Sequence, residues 1–378
     1  MTTSLQLPRP WATNVNYSSG PDTGTPTKVD PASDANGFIS GSVASAAHVN
    51  YHVAQLTRAA RRALALKLCK PRRLGLTSDQ AGGIGVCSIG RGLPAIVGNG
   101  HSAGVPRAFD GDINLGGVVA SITGAVNGAA VNGSSRIVLV GGGGNRSCFS
   151  DNGGTAWSAG GDLGGTGLDV IYNSTFSRFQ AGYSGHMRYS SDATAWTDVV
   201  VAGYLGKGIG LSSVPNGRVT VVQTGVSPVT ASKSANGGTS WAAAGTIANA
   251  ASITAGSVGG AGLDNIYHAG VLSGGSIQIS STPDGVTWTV VNTLAPVASN
   301  NYTAALIRQC PDTGVLFLLT GLATGTVAIL ASLDGGATWT EQVYAPVTAA
   351  ACYGVAHGRI FILNAAGELF ASDGAGWE

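Results

Sequence analysis

One eight-residue stretch, Ser332-Leu333-Asp334-Gly335-Gly336-Ala337-Thr338-Trp339, constrains this chain more than any other. It reads as a tight hairpin. The aspartate carboxylate can accept hydrogen bonds from N–H groups of its own turn. The next glycine supplies a positive φ that a side chain resists. The threonine hydroxyl can close the turn. The tryptophan opens the following strand and packs its ring against the sheet.

The stretch recurs. Ser150 to Trp157 and Ser234 to Trp241 repeat its spacing, with Asn152 and Asn236 at the aspartate position. Shorter or shifted copies run Ser191 to Trp196 with Asp192, Ser281 to Trp288 with Asp284, and Ser372 to Trp377 with Asp373. Successive tryptophans are 39, 45, 47, 51 and 38 residues apart. A period of that size marks a propeller or another array of repeats. These residues resemble the Asp-box (BNR) repeat of sialidases, sortilin-like receptors and many secreted or virion β-propellers, over nearly all of residues 74–378. The resemblance implies an all-β propeller. It gives Asn152, Trp157, Asp192, Trp196, Asn236, Trp241, Asp284, Trp288, Asp334, Trp339, Asp373 and Trp377 structural roles, on hairpins outside the chemistry.

Strand patterning agrees with a four-stranded unit. Between Leu168 and Val201 four short β segments alternate with Gly and Ser turns. The apolar runs Ile137–Val140, Val219–Val222, Val315–Leu319 and Ile360–Leu363 suit strands buried on both faces. A degenerate copy around Ala95–Val97 and Val105–Asp112 precedes the first tryptophan copy. Seven copies make seven blades the expected count, with six or eight as alternatives. The last copy stops at Trp377-Glu378 with almost no outer strand, so Leu74–Thr77 is expected to pair there and cover an open edge.

The first residues differ. Pro8, Pro10, Pro21, Pro26 and Pro31 break up residues 1–42, which read as an extended arm. Residues 43–70 read as one α-helix: the stretch from Val43 to Leu68 has no Gly or Pro, and Pro71 stops it. Val49, Val53, Leu56, Ala60 and Leu64 form its apolar stripe. The segments Leu7–Ala12, Gly20–Val29, Gly37-Phe38 and Ala47–Tyr51 are similar to the amino-terminal region of many bacteriophage tail-fibre and tail-associated proteins. That resemblance implies a virion-docking arm anchored by Trp11, Phe38 and Tyr51. Ala46 and His48 stand where such arms commonly carry proline.

Composition removes several function classes. Charged residues are 10% and the formal net charge is +1, so nothing electrostatic points to nucleic acid or an anionic membrane. No apolar run approaches the roughly 20 residues that span a bilayer. The start, Met1 to Pro8, lacks the basic and apolar parts of a signal peptide. Five cysteines, Cys69, Cys87, Cys148, Cys310 and Cys352, are scattered without a CxxC and read as buried thiols made in a reducing cytoplasm.

Chemistry-bearing constellations are sparse. A sialidase also needs an Arg-Ile-Pro motif, an arginine triad, and a tyrosine with a glutamate partner. The chain has no Arg-Ile-Pro, and its glutamates are Glu341, Glu368 and Glu378 alone. Glycosidases work with two carboxylates flanking one bond, whereas most aspartates here sit in hairpins. His48 and His52 are four apart, yet no third ligand lies nearby. Gly141–Arg146 is Gly-rich but lacks the lysine and helix of a phosphate loop, and reads as a turn.

The expected protein is therefore a phage tail or tail-fibre component in the virion, made in the host cytoplasm and not an enzyme. No cofactor or metal is expected. It would dock on other tail proteins through residues 1–68, form a homo-oligomer with a trimer first, and present its propeller to a host-surface glycan or protein. A sialidase-like glycan hydrolase and a cellular Asp-box adhesin are the rival readings.

Overall fold

The computed structural model describes residues 122–348 almost throughout, and short strands within residues 72–118 and 352–371. The docking arm, the helix at 43–70, the anchors Trp11, Phe38 and Tyr51, and the last copy with Asp373 and Trp377 lie outside the described residues. No helix among the described residues is long and apolar enough to cross a membrane.

Every described element is a strand. β1 is Arg72–Leu74. A first group of four follows: β2 (Ile84–Ile89), β3 (Leu93–Gly98), β4 (Arg107–Phe109) and β5 (Leu115–Val118). Then come β6 (Val126–Val131), β7 (Ile137–Gly141), β8 (Ser147–Ser150) and β9 (Ser158–Ala159). The third group is β10 (Asp169–Asn173), β11 (Arg178–Tyr183), β12 (His186–Ser190) and β13 (Thr197–Val200). The fourth is β14 (Ile209–Ser212), β15 (Thr220–Gln223), β16 (Thr230–Ser234) and β17 (Ala242–Thr246). The fifth is β18 (Ile253–Leu263), β19 (Ile266–Leu272), β20 (Ile277–Thr282) and β21 (Thr289–Leu294). The sixth is β22 (Leu306–Gln309), β23 (Leu316–Gly321), β24 (Thr326–Ser332) and β25 (Thr340–Thr348). Last are β26 (Cys352–Ala356), β27 (Arg359–Leu363) and β28 (Leu369–Ala371).

Within each group neighbours in sequence pair antiparallel, as short Gly and Ser turns require. The fourth and fifth groups merge into one eight-stranded sheet, because β14 and β18 pair in parallel. The first strands of the groups lie against one another in the order β2, β6, β10, β14, β18, β22, β26, and β26 returns to β2. The sheets therefore form a closed ring with these strands innermost. The chain's ends complete it: β1 pairs antiparallel with β28, Arg72 opposite Ala371 and Leu74 opposite Leu369. Of the pairing expected at Leu74–Thr77, Leu74 takes part and the strand runs back to Arg72, while residues 75–77 lie outside the described residues. The last group lacks a fourth strand of its own among the described residues, and β1 fills that place.

Each recurrent stretch turns between the third and fourth strands of its group, and its polar atoms are spent inside the turn. Ser332 Oγ donates to Asp334 Oδ1 at 2.9 Å and accepts the Gly336 N–H at 2.8 Å. Asp334 in turn accepts the Thr338 N–H at 2.9 Å and its hydroxyl at 2.6 Å. Gly335 and Gly336 sit at φ of 72° and 94°, where a Cβ is strained. The shorter copies close one residue earlier: Ser190 Oγ accepts from Ala193 N, and Thr282 Oγ1 from Gly285 N. Thr282, not Ser281, supplies the hydroxyl in that copy, donating to Asp284 at 3.0 Å. A threonine hydroxyl does the same work, and only the register of the turn reveals which residue is used.

The tryptophans do more than cover their own sheets. Trp196, from the third group, packs on Val138 and Val140 of β7 together with Val170 and Phe179 of its own group. Trp241 reaches back to Met187 of β12, Trp288 to Val221 of β15, and Trp339 to Ala269 and Ile279 of the fifth group. These four rings thus belong to the apolar layers between their own group and the one before, whereas Trp157 packs on Ile137 and Leu139 of its own group. Trp196 adds a polar tie, its Nε1 donating to Ser147 Oγ at 3.2 Å. Alternation of the second strands feeds successive layers: Val221 of β15 faces one layer and Val222 the next.

Trp288 is the deepest of these rings, at 7% exposure. Trp288→Ala should cost about 3–5 kcal/mol, read as a lower urea midpoint. A shift equal to that of an exposed-site control would refute this packing.

His268 is fully buried in β19 with neither ring nitrogen hydrogen-bonded among the described residues, edge-on to Trp288 at 6.3 Å. Burial holds its pKa near about 3, against the ordinary 6.5. The unfolded chain then binds the extra proton, so acid removes stability between those values, by up to about 1.4 kcal/mol per pH unit. His268→Leu should lack that contribution. The stability of the natural protein relative to the variant should fall as pH is lowered from 6.5 to 4.5, measured by chemical denaturation.

Candidate functional site

The centre of the ring is where a ligand-binding or catalytic mouth would form, and glycines let three of the strands around it approach closely. A Cβ on Gly210 of β14 would stand 2.7 Å from Val258 Cγ1, and one on Gly260 of β18 2.8 Å from the Leu211 carbonyl. Gly259 leaves no room for a Cβ against the Ile307 carbonyl of β22. Three inner strands thus meet backbone to backbone. Side chains stitch the same seam: Ser257 Oγ accepts the Ile307 N–H at 2.8 Å, and Gln309 Oε1 accepts the Ala261 N–H at 3.0 Å.

An ion pair crosses this centre. Asp169 opens β10 and Arg308 lies on β22, strands that face each other across the cycle rather than adjoin. Arg308 Nη1 is 3.1 Å from Asp169 Oδ2, with 29% of the arginine side chain and 9% of the aspartate side chain accessible. Asp169 also accepts the Val170 N–H at 2.9 Å and the Ile209 N–H at 3.1 Å. Its lone pairs are thereby well supplied. Burial alone would lower the Arg308 pKa, and the Asp169 charge and hydrogen bond together with Tyr353 and Tyr204 outweigh it and raise the value. Gly208, at φ 89°, gives the guanidinium space: a Cβ there would come within 2.9 Å of Arg308 Nη1. Two tyrosines complete the surroundings. The Tyr353 hydroxyl donates to the Leu306 carbonyl, while the Tyr204 hydroxyl is buried with no partner among the described residues. Burial pushes both hydroxyls to higher pKa.

A second polar cluster lies at the junction of the second and third groups. Asp198 accepts from Arg188 Nε at 3.0 Å and from the Tyr183 hydroxyl at 3.2 Å, and it meets His186 Nδ1 at 3.0 Å. Tyr183 and His186 stack with ring centroids 4.6 Å apart. Arg188 Nη1 reaches the Asp162 carbonyl at 2.8 Å, and the Asp162 carboxylate holds Arg146 at 2.8 Å. Burial would raise the Asp198 carboxyl, but Arg188 and His186 outweigh it and hold it low. For Asp162 the Gly164 N–H is the main cause of a lowered value. This cluster uses the loop before β8, the β11–β12 hairpin and the loop before β10, so it lies on the face opposite the recurrent turns.

The sequence-marked residues occupy the other face. Asn152, Asp192, Asn236, Asp284 and Asp334 each accept a backbone N–H of their own turn. They are brought to one face but not to one site. Arg136, which the sequence did not single out, ties two of these turns together. It grips Asp151 at 2.6 and 2.8 Å and donates to the Asp192 carbonyl at 2.8 Å. A conspicuous Arg at the start of an apolar run was its only sequence signal. Glu341 lies on β25, the fourth strand of its group, 3.4 Å from the Tyr302 hydroxyl. Tyr302 is 3% exposed, so this tyrosine–glutamate contact is closed to a substrate. Among the described residues no group of three or more His, Cys, Asp or Glu is arranged to hold a metal ion.

No family model matches the chain, and no curated protein does either. Solved structures do. YCF48 bound to a D1 peptide is 17% identical at a TM-score of 0.52, over 80% of this chain and 96% of that one. BBS1N in complex with ARL6DN is 13% identical at a TM-score of 0.52, over 80% of this chain and 94% of that one. Both are β-propellers. This chain is a β-propeller. The similarity carries the fold alone, and the polar centre must be judged on its own contacts.

Removing one partner of the central pair should strand the other. Arg308→Met should cost about 3–5 kcal/mol, and adding Asp169→Asn to it should recover most of that loss. Equal urea midpoints for the single variant and the natural protein would remove the pair from the propeller's supports.

Proposed function

We propose that the protein is a seven-bladed propeller of Asp-box type, held on a bacteriophage tail by residues 1–68, that binds a host-surface protein or glycan without cleaving it. The observation that carries the binding reading is the close approach of the inner strands around a carboxylate that is already paired. With β14, β18 and β22 meeting backbone to backbone and Asp169 occupied by Arg308, the described residues offer no facing pair of uncommitted carboxylates at the centre. The hairpin aspartates are committed in the same sense, each to its own turn.

The cycle of seven inner strands supports the blade count, and the repeated hydroxyl–carboxylate turn supports the Asp-box assignment. YCF48 with its peptide and BBS1N with ARL6DN are propellers in complex with a peptide or protein, which agrees with a binding role here. The tail assignment rests on the arm-like order of residues 7–51 and on the apolar stripe at Val49, Val53, Leu56 and Leu64. A stripe of that kind on one helix needs a partner, and three copies around a tail axis would satisfy it.

A chain lacking residues 1–68 should be soluble, melt cooperatively and stay out of virions, while still competing with virions for host cells. Incorporation at normal copy number would sink the docking arm. Loss of competition by a folded propeller would sink host binding. Release of sugar from host-surface glycans by the full-length protein would move the assignment to the hydrolase.

A further inference from the structure

Two recurrent turns carry asparagine where three others among the described residues carry aspartate, and the turn treats the two alike. Asn152 Oδ1 accepts from Ser150 Oγ at 2.8 Å and from the Ala156 N–H at 2.9 Å. Asp334 Oδ1 accepts from Ser332 Oγ at 2.9 Å and from the Thr338 N–H at 2.9 Å. Asn236 makes the same pair of contacts, with Ser234 Oγ at 2.9 Å and the Ser240 N–H at 3.0 Å. Both asparagines are followed by glycine, as is Asn127 on β6. That dipeptide has a specific reactivity. The glycine nitrogen attacks the asparagine Cγ, unhindered by a Cβ, and a bond forms between them. The Cγ–Nδ2 bond breaks, and ammonia leaves with the proton given up by the attacking N–H. Water then opens the cyclic imide at either carbonyl, giving aspartate or isoaspartate, with no co-reactant beyond water.

We propose that Asn152 is a modification site at which the folded protein converts itself to aspartate, and that it reacts ahead of Asn236 and Asn127. Asn152 is exposed, and nothing stands within 4 Å of the place a Gly153 Cβ would occupy. Among the described residues no acceptor takes the Gly153 N–H, so the attacking nitrogen itself is not held. Asn-Gly also occurs at Asn36, Asn99, Asn132 and Asn216, where one or both residues lie outside the described residues; the two fully described competitors, at Asn236 and Asn127, are hindered. Gly237 is buried beneath Phe176, whose Cβ would be 2.7 Å from a Cβ there. Asn127 sits in a strand with its Nδ2 on the Gly167 carbonyl at 2.8 Å, and Gly128 is held in register opposite Val140.

The product has a place prepared for it. Aspartate at position 152 keeps the two acceptor contacts that Asp334 makes in its own turn. The new charge arises beside Asp151, where Arg136 already supplies a cation. Isoaspartate instead adds a carbon to the main chain and pulls the Gly154 N–H off Ser150 Oγ, a 2.9 Å bond in the intact turn. The folded turn therefore accepts one product and is opened by the other.

The test ages the full-length protein in mildly alkaline buffer made with heavy-oxygen water and follows the peptides containing Asn127, Asn152 and Asn236 by mass spectrometry. Label should enter position 152 several-fold faster than the other two. In urea the three rates should converge, because the fold sets the order. Label appearing first at Asn236 or Asn127, or an order that persists in urea, overturns the proposal. Asn152→Asp should melt with the unaged protein. A clear drop in its melting temperature overturns the claim that the turn accepts the product.

Discussion

The fold depends on one small device, a hydroxyl placed two residues before a carboxylate or amide. Ser332 Oγ gives its proton to Asp334 and takes the Gly336 N–H, which fixes three residues of chain with one side chain. Individually such bonds contribute only about 0.5–1.5 kcal/mol. Their value lies in aim. The turn delivers the tryptophan at the start of the fourth strand, pointed at the sheet behind. The apolar layers then supply the larger stabilisation, since a buried ring removes far more apolar surface from water than a turn bond can offset. Polar geometry directs, and burial holds.

That division explains what the sequence could and could not disclose. The turn is local, so its Ser, Asp, Gly and Trp could be read at fixed offsets, and the second-strand runs such as Val315–Leu319 announced burial on both faces. Thr282 was misplaced by one residue because Ser281 and Thr282 offer the same chemistry and only pairing with Asp284 distinguishes them. The backward reach of Trp196 and Trp339 is a relation between groups, invisible in any window of one repeat. The Asp169–Arg308 pair joins strands on opposite sides of the ring, so no periodicity records it. Gly210, Gly259 and Gly260 looked like turn or flexibility signals, yet each sits in a strand, Gly259 and Gly260 because two backbones meet there and Gly210 because the Val258 and Ile266 side chains take the space.

The ring is not uniform around its circumference. Between β14 and β18 the inner strands share backbone hydrogen bonds, and between β18 and β22 side chains of Ser257 and Gln309 reach backbone N–H groups. Between the third and fourth groups the join runs through longer side chains. Asp169 spans to Ile209 through its carboxylate, and Thr220 Oγ1 donates to Gln180 at 2.7 Å. Glycine allows the tight seam and polar side chains bridge the wider ones. The ring therefore closes with unequal spacings, and the arginine from β22 fills the space left toward β10.

The two faces of the propeller consequently have different freedom to change. On the turn face nearly every polar group is committed, first to its own turn and then to the neighbour, as Arg136 shows by holding Asp151 and the Asp192 carbonyl together. A substitution there loosens a blade as well as a surface. The opposite face carries the β11–β12 hairpin and the loops entering β10 and β14, with Val200 68% exposed and Leu205 at 36%. Its central cluster, Asp198 with Arg188, Tyr183 and His186, is held side chain to side chain, so those residues can be exchanged with less effect on how sheets register. Surfaces that must track a changing partner are built on loops carried by a rigid scaffold. On the proposed reading, recognition therefore belongs to the hairpin face, and the repeated turns that make the fold legible are the part of the molecule least able to take part in it.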